Sequence, residues 1–199
     1  MKREDGFTLM ELLVVITITS ILLGIGAGAL RYFWLGRSLY GERDQVFTNL
    51  RAVQQQVVSE SNPLVFGAWF KVMTSATDDG TMQWGTVRYR PPATLPGTGT
   101  CTATGSHRLD GGVQVTSAEF ADSLSGVTSI TDVINACKAQ VAASAGATDF
   151  VFFLARGTGT EGCVVFNQPN RDMDDIGLDV SALTGRVERI TEAEVATRC

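Results

Sequence analysis

Residues 7–30 are almost wholly apolar, with Glu11 as their only charge, and that run constrains every other reading of the chain. It is longer than the ~20 residues a helix needs to cross the hydrocarbon core of a bilayer. In lipid the backbone has no water to bond, so such a segment satisfies its own amides as a helix. A carboxylate inside it is costly and marks a functional position that calls for a partner charge. A short charged leader, Met1-Lys2-Arg3-Glu4-Asp5, precedes the run and stops at Gly6.

The string Gly6-Phe7-Thr8-Leu9-Met10-Glu11-Leu12-Leu13-Val14-Val15 resembles the N-terminal signature of type IV pilins and of the pseudopilins of type II secretion. The resemblance implies that a prepilin peptidase cuts between Gly6 and Phe7 and that Phe7 is then N-methylated. It also implies that the Glu11 carboxylate meets the protonated amine of Phe7, its own or a neighbour's, during assembly. The partners implied are sibling pilins or pseudopilins, the peptidase, an inner-membrane assembly platform and, before assembly, membrane lipid. The chain would sit once across the inner membrane with its head outside the cytoplasm, and then enter a pilus or pseudopilus. The resemblance covers about the first thirty residues, so it points to an assembly class and not to an individual member.

Two plainer readings compete. A secretory signal peptide also has a charged start, an apolar core and a small-residue cleavage site, here Ala27-Gly28-Ala29. Against it, the leader carries two basic and two acidic residues, and Glu11 interrupts the core. An uncleaved anchor is the other.

Within the apolar run, Gly24, Gly26 and Gly28 alternate, and Gly24 with Gly28 forms a G-x-x-x-G pair. Two readings stand side by side: close packing against another membrane helix, or a locally weak helix, each glycine costing ~1 kcal/mol against alanine. The aromatic group Tyr32-Phe33-Trp34 suits a membrane–water interface. Leu39, Val46, Leu50, Val53 and Val57 then recur at helical spacing on one face, with charges on the others. Ser61-Asn62-Pro63 stops the helix, because proline lacks an amide proton and disfavours helix in the residue before it. The expected divisions are a leader at 1–6, a membrane and assembly helix at 7–30, its amphipathic continuation at 31–62 and a β-rich head at 63–199. The fold class is α+β, a long N-terminal helix packed on an antiparallel sheet, which is the pilin-like arrangement.

Beyond residue 63 the pattern changes to period two with turns. We expect strands at 64–74, 82–90 and 112–118, an exposed Gly/Thr/Pro-rich loop at 93–112 and a helix at 130–144. The runs at 150–154 and 163–166 are the strongest strands and are expected to form a hairpin across 157–162, with a second hairpin at 176–190. Successive hairpins ending in Thr-Gly-Arg resemble the H-type pseudopilins and the FimT/FimU-like minor pilins, with the middle helix as an insertion. The four cysteines, Cys101, Cys137, Cys163 and Cys199, lie past the membrane segment and contain no C-x-x-C pair. An even count on the exported side points to two disulfides. Three connectivities are open, with free thiols as the alternative. We favour pairing neighbours, Cys101–Cys137 and Cys163–Cys199.

The net charge of −5 and pI near 4.9 argue against general affinity for nucleic acid. Basic residues at the final hairpin capture DNA in some FimT-like relatives, and Arg186 and Arg189 fall there. Glu188 between them weakens that transfer. His107, the sole histidine, lies near Ser106 and Asp110 but without a G-x-S-x-G elbow, and reads as a solvated loop residue. Asn170-Arg171-Asp172-Met173-Asp174-Asp175 opens like a calcium loop, then has Asp175 where glycine is needed and Ser181 where glutamate should close it. The Gly/Thr runs at 97–100 and 157–162 lack the lysine of a phosphate loop. We therefore expect no cofactor, no metal and no enzymatic activity. The role is that of a minor pilin or pseudopilin. A secreted or membrane-tethered binding domain, such as a DNA receptor or adhesin, is the rival.

Overall fold

The structure is a computed structural model that describes residues 9–59, 65–73, 82–90, 99–121, 130–154, 157–169 and 174–199. It begins with helix α1, Leu9–Ser59. By its contacts the chain divides into two units, Met1–Arg37 and Ser38–Cys199, so the end of α1 belongs to the head. In that head Leu39, Val46, Leu50, Val53 and Val57 are all buried. Burying side chains of this size contributes ~1.5–3 kcal/mol each, which is what fixes this stretch of helix in place. The expected stop at Ser61-Asn62-Pro63 lies outside the described residues; the last described helical residue is Ser59.

Two four-stranded antiparallel sheets follow. The first contains β1 (Val65–Phe70), β2 (Trp84–Arg90), β3 (Thr100–Ala103) and β5 (Asp149–Phe153), in the order β3-β2-β1-β5. The second contains β4 (Gln114–Phe120), β6 (Gly162–Asn167), β7 (Ile176–Val180) and β8 (Val187–Ile190), in the order β4-β6-β7-β8. Helix α2, Ile130–Ala145, lies between β4 and β5 in the chain, and a short α3, Glu192–Arg198, ends it. The fold is α+β, an apolar N-terminal helix followed by antiparallel sheets, consistent with a pilin-like fold.

Alternation along the strands sends side chains to two cores. Phe66, Ala68 and Phe70 of β1, with Val151 and Phe153 of β5, join Leu50, Leu178 and Val187 in the larger core. Trp69, Phe150 and Phe152 point the other way, against Ile134, Cys137 and Val141 of α2. The first sheet is thus covered on both faces, which explains the unbroken apolar run of β5. At Gly85 a Cβ would collide with the Gly105 carbonyl and the Trp69 indole nitrogen, so only glycine lets the Trp69 ring lie in this second core.

Hydrogen bonds from side chains and from the main chain join the two sheets. Gln83, buried, accepts the Val115 N–H at 3.0 Å and donates to the Val113 carbonyl at 3.3 Å. The Met73 N–H donates to the Val115 carbonyl at 2.8 Å, and the Asp149 carboxylate accepts the Phe120 N–H at 2.8 Å.

Two expectations are corrected. The runs at 150–154 and 163–166 do not form a hairpin: β5 pairs with β1, while β6 pairs with β4 and β7 in the other sheet. Both strands are buried along their length and each serves a different sheet, so proximity in sequence misleads. The segment expected as an exposed loop at 93–112 contains β3, whose Cys101 is buried and opposite Tyr89. Its strand character comes from distant partners: β2 on one edge, and on the other Gln140 of α2, which accepts the Cys101 N–H at 2.8 Å and donates to the Gly99 carbonyl at 3.1 Å. The expected hairpin at 176–190 is present as β7 and β8, turning through Gly185 at φ +57°.

Candidate functional site

From Leu9 to Gly28, α1 has a mean hydropathy of 2.3 and none of it is buried. Twenty helical residues rise about 30 Å, the thickness of a bilayer core. Leu9, Leu13, Ile16, Leu22, Leu23 and Ile25 are all exposed, a surface that water does not tolerate over this length. The hydroxyls of Thr17, Thr19 and Ser20 donate to the carbonyls of Leu13, Val15 and Ile16 at 2.7, 2.7 and 2.8 Å. Each polar side chain is thereby satisfied within the helix. Glu11 stands in the first described turn, where the helix dipole favours a negative charge. Gly24, Gly26 and Gly28 have nothing within 4 Å of the position a Cβ would take. Phe33 is exposed, while the side chains of Tyr32 and Trp34, like Gly6 and Phe7 themselves, lie outside the described residues.

Residues 1–27 match the prokaryotic N-terminal methylation motif. That match supports a type IV pilin-like chain and covers Gly6, Phe7 and Glu11 together. Comparison with curated proteins and with solved structures gave no match.

In the head, the cysteines pair as Cys101–Cys137 and Cys163–Cys199. The first pair fastens α2 to β3, and the second fastens the chain end to β6. Glu194 accepts the Thr191 N–H and hydroxyl at 2.9 and 3.0 Å, which starts α3 and holds the Glu194 carboxyl below its usual range. Arg198 reaches Asp179 at 3.0 Å and Glu188 at 3.5 Å.

His107 is not the solvated loop residue expected. Its ring stacks on buried Trp84 with centroids 4.4 Å apart, and the main-chain N–H of His107 donates to the Trp84 carbonyl at 2.7 Å. Asp110 pairs with Arg108 at 3.6 Å, so the structure does not assemble a Ser/His/Asp arrangement among these residues. Of the calcium-like stretch, 170–173 lie outside the described residues, and Asp175 accepts a hydrogen bond from Asn167. No group of three or more His, Cys, Asp or Glu able to hold a metal occurs among the described residues. Glu42, half-buried on α1, has its carboxyl raised by burial, opposed by the Asp110 N–H, with the Asp110 charge adding to the rise.

Arg186 and Arg189 come together with two residues that composition did not single out, Phe47 and Arg51 of α1. These four, with Val187 and Glu188, line a cavity of about 280 Å³. Their spacing carried a signal: an aromatic and an arginine four apart share one helix face.

Proposed function

We propose that the chain is a structural subunit of a pilin-like assembly, a minor pilin of a type IV pilus or a pseudopilin of a type II secretion system, and not an enzyme. One coincidence carries this reading. The methylation motif falls on a helix that is apolar, fully exposed and interrupted by a single carboxylate. Processing between Gly6 and Phe7 places a protonated, methylated amine within reach of Glu11, its own or that of a neighbouring copy. In a low-dielectric bundle each charge needs the other, so the pair sets the register in which one subunit joins the next. The lipid bilayer holds the subunit before assembly, and the head is carried outside the cytoplasm.

The test is the intact mass and N-terminal sequence of the protein from cells with and without prepilin peptidase. A peptidase-dependent start at methylated Phe7 is expected. A start at Leu30, or an intact Met1 in both cell types, would overturn the proposal. Glu11→Ala is then expected to leave the subunit processed and membrane-bound but absent from sheared filaments or the secretion complex.

A further inference from the structure

The cavity between α1 and the last hairpin is locally positive in a chain of net charge −5. Arg51 and Arg189 both lie over the Phe47 ring, 4.6 and 4.0 Å from its centroid. The electron-rich ring attracts both cations, so one side chain of α1 positions the two guanidinia. Asp44 is shared between Arg43 at 3.0 Å and Arg189 at 2.9 Å, and Glu188 between Arg186 at 3.0 Å and Arg198 at 3.5 Å. The Arg51 guanidinium donates to a neutral group, the Val187 carbonyl, at 3.4 Å. Of the charged residues that line the cavity, Arg51, Arg186 and Arg189 are basic and Glu188 is acidic, so the lining carries an excess of positive charge. Arg189 engages Asp44, and Arg186 engages Glu188, through Nε alone, which leaves the two-pronged ends of their guanidinia for a further acceptor.

We propose that this pocket docks an acidic segment of a partner polypeptide, with one of its carboxylates held by Arg51 and Arg189 and its aliphatic stem against Phe47. The chemistry favours a carboxylate-bearing protein over a nucleic acid. A nucleic-acid strand presents a continuous row of phosphates and calls for a long basic track. This site is a short open depression with Glu188 in its lining and Asp44 paired to Arg189, and both carboxylates would repel the neighbouring phosphates. A single side-chain carboxylate needs only one or two guanidinia and meets less of this repulsion. The proposal concerns the head alone and does not depend on the membrane-assembly reading.

The experiment uses the full chain in nonionic detergent, titrated into a fluorescent hexapeptide of alternating Glu and Ala and followed by anisotropy. A Gln/Ala peptide and a labelled single-stranded oligonucleotide are run beside it. The Glu peptide is expected to bind, the Gln peptide not, and the affinity to fall as salt rises from about 0.05 to 0.5 M. Arg51→Gln and Arg189→Gln are each expected to weaken binding roughly tenfold, the size of a lost charge-assisted hydrogen bond. Arg186→Gln changes an exposed side chain, is expected to leave the melting temperature of the head unchanged, and should weaken binding by a smaller factor. Arg108→Gln, outside the cavity, serves as the control and is expected to change nothing. Equal binding by wild type and all three cavity variants would overturn the site. Tighter binding of the oligonucleotide, lost in the same variants, would overturn the choice of occupant.

Discussion

Between Leu9 and Gly28 helix α1 leaves Leu13, Ile16 and Leu23 more than half exposed, whereas farther along the same helix Leu39, Val46 and Leu50 are at most 1% exposed. The residue types are alike and the local conformation is the same. What differs is the pattern. In the first stretch apolar residues surround the helix, so no single contact surface on a head would cover them, and lipid or other helices must do so. In the second they form a stripe, charges occupy the other faces, and one face against the two sheets is enough. Hydrophobicity alone says that a residue avoids water; its angular distribution says what replaces the water.

Placing one substitution in each stretch tests this directly. Leu50→Asp puts a charge into the larger core and is expected to cost the head more than about 4 kcal/mol, seen as loss of its cooperative unfolding in detergent. The two disulfides come next in size. Cys101→Ser with Cys137→Ser opens a loop of sequence separation 36, and a loss of about 3–4 kcal/mol is expected by denaturant titration. That loss should appear first as exposure of Trp69, which lies in the core under α2. Leu22→Asp, in the exposed stretch, is expected to leave head unfolding unchanged while disfavouring membrane insertion by about 2.5–3.5 kcal/mol, measured as the fraction recovered in membranes. If Leu22→Asp lowered head stability as Leu50→Asp does, the contrast between the stretches would fail.

The smallest expected effect is at Glu42, on the head side of the helix. Its carboxyl is raised in the folded state, so the folded head holds a proton more tightly there than the unfolded chain does. The stability from this group is complete below the ordinary glutamate range and is lost as pH rises through the raised value. Glu42→Gln, which keeps an acceptor for the Asp110 N–H, is therefore expected to raise the melting temperature slightly at pH 7 and to leave it unchanged near pH 4.

The helix and its buried stripe were legible because their periodicity is local: Leu39 to Val57 states its own face. The strands were legible as strands, since Phe150 to Phe153 and Cys163 to Phe166 are apolar and β-prone. Their partners were not. β5 finds β1, some eighty residues earlier in the chain, and no local signal separates that pairing from a hairpin with β6. β3 was hidden by its composition, because Thr100 to Ala103 becomes a strand only through β2 and the Gln140 side chain. α3 was missed because seven residues offer little periodicity, although Thr191 and Glu194 form a readable helix start. The membrane segment was legible in type and in motif, while the Arg51–Phe47–Arg189 arrangement required two distant segments to meet.

The hydroxyls of Thr17, Thr19 and Ser20 have a consequence for movement between environments. Each is bonded to a carbonyl four residues earlier, so exchanging lipid for protein around the helix breaks none of these bonds and requires no replacement donors. For these groups the transfer is close to isoenergetic and can run in either direction. The free-energy difference between a dispersed and a gathered population then falls on van der Waals contact and on Glu11, the charged side chain of this stretch. A helix built this way keeps the same internal hydrogen bonds in lipid and in a bundle of helices.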